Sequence, residues 1–353
     1  MGTIRPLTSL RFFAATMVFI QHLPVLQGIV PIFLGPAGVS FFFVLSGFVL
    51  TYAYRRVFRD GLLRRRDALR FWAARVARIY PLHVCTLIVA AFLIRDAEKN
   101  TPIAFLLQLG LLQTWVPYRH YTFSFNAPAW SISDEAFFYA LFPLIVVAIF
   151  RLKLSFAQCV VTMCAIYAAL TVLVVRSYSS AGSFEWAMFQ FPPTRLVEFI
   201  CGILVAEAFS KNPLKLGTWA ATALEVLLPA AFLLAALLPI PAPLIGTTFT
   251  TPLAVAIVFI FALRAGYVSR LLSARPLVYL GEVSFAIYMV HYMIVREVNT
   301  ALAIALTLAV AIFAHELIEK PAQRFLLRLF DGRNASQTKP KNLERDGLGS
   351  VGS

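Results

Sequence analysis

Arg11 and His22 bracket an otherwise apolar run, RFFAATMVFIQH, and both are side chains that a lipid-facing helix excludes. Eleven residues of α-helix turn through about 1100°, three full turns plus roughly 20°, so the two side chains share one face about 16 Å apart along the axis. A guanidinium fork grips an anionic group, and an imidazole moves protons or attacks carbon near neutral pH. Set on one face at that spacing, the pair suits a single elongated ligand.

Other ionisable residues fall inside apolar windows, where each costs about 2.5 to 3.5 kcal/mol at a helix centre and is a functional candidate by default. In RFWAARVARIYPLH, Arg75 and Arg78 lie three apart on one helix face, with His83 further along. Such a pair binds phosphate; the plainer reading is two side chains snorkelling to anionic headgroups. In NAPAWSISDEAFFYALFP, Ser131 or Ser133 is placed to cap a helix, and Glu135 follows about one turn in, beside Asp134. A carboxylate there orients and charge-balances a histidine on a neighbouring helix, or, with Asp134, complements the positive helix terminus. Arg195 and Glu198 have the i, i+3 spacing of an intrahelical ion pair, which reads as structural glue. Ser284, Tyr288 and His291 form one stripe facing other helices or a cavity, with His291 reading as a core histidine. Glu282, His315 and Glu316 complete the set. GPAGVSFFFVLSGFVL places Gly35 and Gly38 at a turn and Ser46-Gly47 mid-helix, where small residues let helices approach closely.

The elements that position these groups are set by composition. The chain has 353 residues, 60% hydrophobic and only 14% charged, against about 25% charged in soluble domains. It reads as an all-α integral membrane protein with about ten transmembrane helices and no additional soluble domain. The windows are residues 7–29, 35–54, 71–94, 130–150, 155–175, 195–209, 216–239, 247–263, 277–298 and 300–319. An eleventh, Pro102 to Val116, is short and reads as a re-entrant or interfacial segment. Residues 1–330 form the transmembrane domain, and 331–353 a polar, disordered cytoplasmic tail. The net charge of +14 resides between apolar windows, which excludes a nucleic-acid face and fits positive-inside topology. Residues 55–70 carry seven arginines against two aspartates. With that segment inside, an even number of crossings puts both termini in the cytoplasm and PYRHYTFSFNAPA outside. The first apolar run lacks a cleavage site and reads as a retained span. Cys85, Cys159, Cys164 and Cys201 lack disulfide or metal spacing and read as packing residues. Neither a metal-ligand constellation nor a nucleotide glycine loop occurs. The same charges would also line the pathway of a transporter or flippase, although no internal repeat supports one.

Taken in order, Arg11 with His22, GPAGVSFFFVLSGF, RFWAARVARIYPLH, AWSISDEAFFYALFP, RLVEFICGIL, SFAIYMVHY and HELIEKPAQRF resemble the membrane-bound acyltransferase 3 family over residues 7 to about 328. The resemblance implies ten spans in the bacterial inner membrane and acetyl-CoA as the usual donor. It implies His22 as the catalytic group, Arg11, Arg75 and Arg78 as essential partners that fit the donor's phosphates, and a less defined role for Glu135. The activity it implies is O-acetylation of a hydroxyl on a surface or exported glycan, with a lipid-linked saccharide as one form of acceptor. A macrolide-type antibiotic or a lipid is the alternative acceptor. No metal is implied, and the extra span and esterase domain of some relatives are absent from this sequence.

Overall fold

The structure is a computed structural model and describes residues 3–26, 33–94, 96, 98–177, 183–211, 214–238 and 249–337. Among the described residues all regular structure is helical. The helices are α1 (Arg5–Gln21), α2 (Leu34–Phe58), α3 (Arg65–Leu93), α4 (Pro102–Leu109), α5 (Arg119–Thr122), α6 (Trp130–Leu152), α7 (Phe156–Ser177) and α8 (Ser183–Phe189). They continue with α9 (Pro192–Lys211), α10 (Thr218–Ala236), α11 (Thr251–Leu263), α12 (Tyr267–Leu272), α13 (Arg275–Val295), α14 (Thr300–Ala314) and α15 (Lys320–Gln337). A five-residue π-helical turn, His315–Glu319, joins α14 to α15.

Eight segments are long and apolar enough to cross a bilayer: α2, α3, α6, α7, α9, α10, α13 and the run from α14 into α15. Each of the ten predicted windows contains a helix, but α1 has 17 residues and α11 only 13. Window Pro102 to Val116 contains α4, whose eight residues rise about 12 Å and so cannot cross a core about 30 Å thick. Thr101 caps it, its hydroxyl accepting from the Ala104 amide at 3.2 Å. At the other end, α15 runs past Asp331 to Gln337, so the first part of the predicted tail is helical backbone. Residues 338–353 of that tail lie outside the described residues.

Small residues set the tightest packing. Gly47 of α2 faces the Phe199 carbonyl of α9, and Gly202 of α9 faces the Val44 carbonyl of α2, so neither position has room for a Cβ. With hydrocarbon on all sides, such close backbone approach replaces the hydrophobic drive that joins helices in water. The predicted turn at Gly35 and Gly38 is instead the first turn of α2, and Gly38 lies against the Ala14 carbonyl of α1. α1 thus rests on α2 on one side and on α13 on the other.

The predicted serine caps of α6 are not used. A 3₁₀ turn, Ala127–Ala129, runs directly into the helix, and neither Ser131 nor Ser133 caps it. Ser131 Oγ lies 2.7 Å from Tyr288 Oη, and Ser133 Oγ donates to the Leu111 carbonyl at 2.6 Å. The connection before α6 is also tied to α13, because Asn126 donates to the Met289 carbonyl at 2.8 Å. These bonds bring α6 and α13 together around a cavity.

Candidate active site

The cavity lies between α1, α2, α3, α6 and α13 and has a volume of about 80 Å³. Arg11 enters it from α1, Arg75 and Arg78 from α3, and Glu135 and Tyr139 from α6. Four of the five predicted site residues therefore share one space. Glu135 accepts a hydrogen bond from Tyr139 at 2.8 Å, and Tyr139 lies 3.2 Å from Ser46 Oγ. Arg78 pairs with Glu319 of the π turn, whose second carboxylate oxygen stands 2.9 Å from His315 Nδ1. Arg11 and Arg75 each keep a buried Nε without a hydrogen-bond partner. The Arg75 guanidinium lies about 6 Å from the ring centres of Tyr54 and Phe71, close enough for cation–π attraction. Arginines with unsatisfied donors beside a narrow space fit one anionic end of an elongated ligand.

His22 is not among the residues lining this cavity. It follows the last residue of α1, and its ring packs against His291 and Tyr292 of α13, with centroids 5.1 and 5.3 Å away. His22 Nδ1 stands 2.8 Å from the Val18 carbonyl and 3.2 Å from His291 Nε2. Glu135 is not its partner: the carboxylate predicted to balance a histidine is bound to Tyr139 instead. The link between cavity and histidine pair is Tyr288, which lines the cavity one helical turn before His291.

The remaining predicted groups separate by environment. Arg195 and Glu198 form a 3.1 Å pair, both essentially without solvent exposure. Ser40 accepts from Arg195 at 3.2 Å, and Thr251 donates to Glu198 at 3.0 Å. His83 Nε2 lies 2.9 Å from the Gln108 carbonyl in a buried setting. Asp134 is fully buried on α6, whereas Glu282 is exposed. Cys85 is half-buried, Cys159 and Cys201 are buried and Cys164 is exposed, and all four are free thiols. Among the described residues no group of three or more metal-ligating side chains comes together.

Sequence reasoning missed Tyr139, Ser46 and Glu319 as members of this site. Tyr139 had a local signal, since it stands four residues after Glu135 and so on the same helix face. Glu319 stands four residues after His315 and so had a local signal toward that ring, but none toward Arg78, from which 241 residues separate it.

Comparison with known proteins gives the family. No solved structure matches the chain. Acyltransferase MdmB of Streptomyces mycarofaciens is 32% identical over an alignment covering 91% of this chain and 92% of that protein. A putative peptidoglycan O-acetyltransferase, YrhL of Bacillus subtilis, is 23% identical over 85% of this chain, which spans about half (52%) of that protein's length. A profile described as an acyltransferase domain matches residues 6–314, from the start of α1 to the end of α14, and so takes in every helix that contributes to the cavity. An acyltransferase is what these helices build, and the chain belongs to the membrane-bound acyltransferase 3 family.

Proposed function

We propose that the protein transfers an acetyl group from acetyl-CoA to a hydroxyl of a surface or exported glycan. The observation that carries this reading is the pair of buried, unpartnered Nε groups on Arg11 and Arg75 in one cavity. Buried guanidinium donors are costly to leave unmade, and a phosphate of the donor satisfies them with charge-assisted, forked hydrogen bonds. Arg78, already held by Glu319, offers its remaining donors from the same helix. Glu135 offsets part of the positive charge that these arginines bring into the membrane.

His22 carries the chemistry in this reading. As general base, it takes the proton of the acceptor hydroxyl while the oxygen attacks the thioester carbon. The C–O bond forms, the C–S bond breaks, and the proton passes to the departing thiolate. As nucleophile, it forms the C–N bond of an acyl-imidazole first, while the C–S bond breaks and CoA leaves as the thiolate. The acceptor oxygen then attacks the acyl carbon, the C–N bond breaks, and the hydroxyl proton passes to the freed imidazole nitrogen. Trapping acetyl-His22 in a single turnover without acceptor separates the two routes. The likeness to a peptidoglycan O-acetyltransferase supports a glycan acceptor.

The test is release of CoA by purified protein in detergent, with acetyl-CoA as donor and glycan, macrolide or lipid acceptors offered separately. Acceptor-dependent release with a glycan, accompanied by a new acetyl ester on it, is the expected outcome. Ester formation only on a macrolide or lipid would redirect the acceptor, and no transfer from acetyl-CoA to any of them would overturn the donor assignment.

A further inference from the structure

The two histidines have more to say about each other than either does alone. α1 ends in a tightened turn: the His22 amide reaches back to the Phe19 carbonyl at 3.0 Å and not to Val18, four residues before it. A helix C-terminus leaves carbonyls without intrahelical donors, and that of Val18 is taken by the His22 ring, whose Nδ1 lies 2.8 Å away. A carbonyl only accepts, so His22 Nδ1 carries a hydrogen.

His291 is fixed by the same logic. Its Nδ1 lies 2.8 Å from the Tyr288 carbonyl and 3.2 Å from that of Ile287, so this nitrogen also carries the hydrogen. The neutral ring then has a bare Nε2, which points at His22 Nδ1 from 3.2 Å. His291 is wholly buried on α13, the helix on which α1 rests. Its ring is further held edge-on to Phe19, with centroids 6.1 Å apart.

From this geometry we propose that His291 is a positioning residue for His22: together with the Val18 carbonyl it holds the hydrogen on His22 Nδ1 and so presents Nε2 as the basic, attacking nitrogen. When His22 Nε2 takes the hydroxyl proton, the ring becomes an imidazolium whose Nδ1–H is shared between two acceptors, the Val18 carbonyl and His291 Nε2. Hydrogen bonds from a charged donor are about twice as strong as those from a neutral one, so the arrangement favours the protonated intermediate over the resting ring. The role is that of the buried carboxylate in a serine-protease triad, filled here by a neutral acceptor. Unlike a carboxylate, it adds no second charge for the membrane to accommodate. In the nucleophilic route the same acceptors hold the Nδ1 hydrogen while Nε2 bonds the acyl carbon.

This inference rests on His22 as the catalytic group, and the experiment separates the two. ¹⁵N NMR of histidine-labelled protein in lipid nanodiscs, without donor and with histidine replacements for assignment, should show His22 with a protonated Nδ1 and a pyridine-type Nε2. His291→Phe preserves much of the ring packing but removes the acceptor. It should let the second His22 tautomer appear and lower kcat by about 10- to 100-fold, with KM for acetyl-CoA little changed. His291→Gln, whose side-chain carbonyl accepts near the place of Nε2, should stay within about threefold of the wild-type kcat. A wild-type His22 protonated at Nε2 overturns the inference, whether or not the Phe variant folds. So does a folded His291→Phe protein with unchanged kcat and tautomer while His22→Ala is inactive. Near wild-type turnover by His22→Ala would instead sink the catalytic reading of His22 itself and leave the tautomer measurement standing.

Discussion

At the scale of single residues, the arginines of the cavity differ in what their loss exposes. Arg75→Ala removes a guanidinium whose Nε has no partner, so it takes a donor contact away and strands no protein group. A charge-assisted hydrogen bond contributes about 1.5 to 3 kcal/mol, and acetyl-CoA binding should weaken by roughly ten- to a hundredfold, measured by calorimetry with CoA. Arg78→Ala also removes one of the two partners of Glu319, leaving that buried carboxylate with His315 alone. Besides weaker donor binding, it should lower the thermal midpoint below that of Arg75→Ala, by less than the full loss of a buried pair because His315 remains. Equal stability of the two variants would show that the Glu319 pair contributes nothing net. His22→Ala should do the opposite of both: turnover falls by about 10² to 10⁴ while CoA affinity persists, because the phosphate contacts remain. Loss of CoA affinity in His22→Ala with unchanged turnover at saturating donor would exchange the roles assigned to the two ends of α1.

At the scale of elements, the helices were legible and their meetings were not. A bilayer forces every backbone polar group to be satisfied within its segment, so runs of about 20 apolar residues declare themselves, and each of the ten windows contains a helix. The Arg195–Glu198 pair was equally open to reading, because i, i+3 geometry is local. What sequence could not supply is which helices touch: His22 meets His291 across 269 positions, and nothing local to either marks the other. The serine caps of α6 failed for a related reason. Composition does not distinguish a capped start from a 3₁₀ turn that runs into the helix, and both serines are engaged with other segments. Glycines give the clearest element-scale test. A side chain at Gly202 would run into the α2 backbone at Val44, and one at Gly47 into α9 at Phe199, where no rotamer change relieves the overlap. Overpacking a core costs about 1 to 3 kcal/mol, and contact with backbone on both helices places these sites at or above that upper end. Gly202→Leu should therefore lose folded protein in a detergent thermal-unfolding assay, whereas a leucine at Gly217, where a Cβ meets nothing within 4 Å, should not. Equal thermal midpoints for the two would mean that α2 and α9 separate readily and do not anchor the bundle.

At the scale of the whole molecule, the reaction depends on which membrane face supplies the donor. If the donor is acetyl-CoA, made inside the cell, and the acceptor a glycan outside it, as proposed, the cavity has to be reached from the cytoplasm. The charge distribution supports that orientation independently of the site. Residues 55–70, from the last turn of α2 into the first turns of α3, hold seven arginines and two aspartates, and moving that many cations across a bilayer is the step the positive-inside rule penalises. The same orientation puts the start of α1 inside and His22, at its far end, near the outer face. In that orientation Arg11 stands nearer the donor's side and His22 nearer the acceptor's. The stretch around Tyr121, before α6, is expected outside in that orientation. Single cysteines introduced at Arg65 and at Tyr121, in a background lacking Cys85, Cys159, Cys164 and Cys201, test this arrangement with an impermeant thiol reagent applied to intact cells. The cysteine at 121 should be labelled in intact cells, and the one at 65 only after the membrane is permeabilised. Labelling at 65 from outside would invert the molecule, place the arginine-bearing end of the cavity away from the acetyl-CoA pool, and remove the physical basis for a donor that enters at Arg11 and an acceptor that meets it at His22.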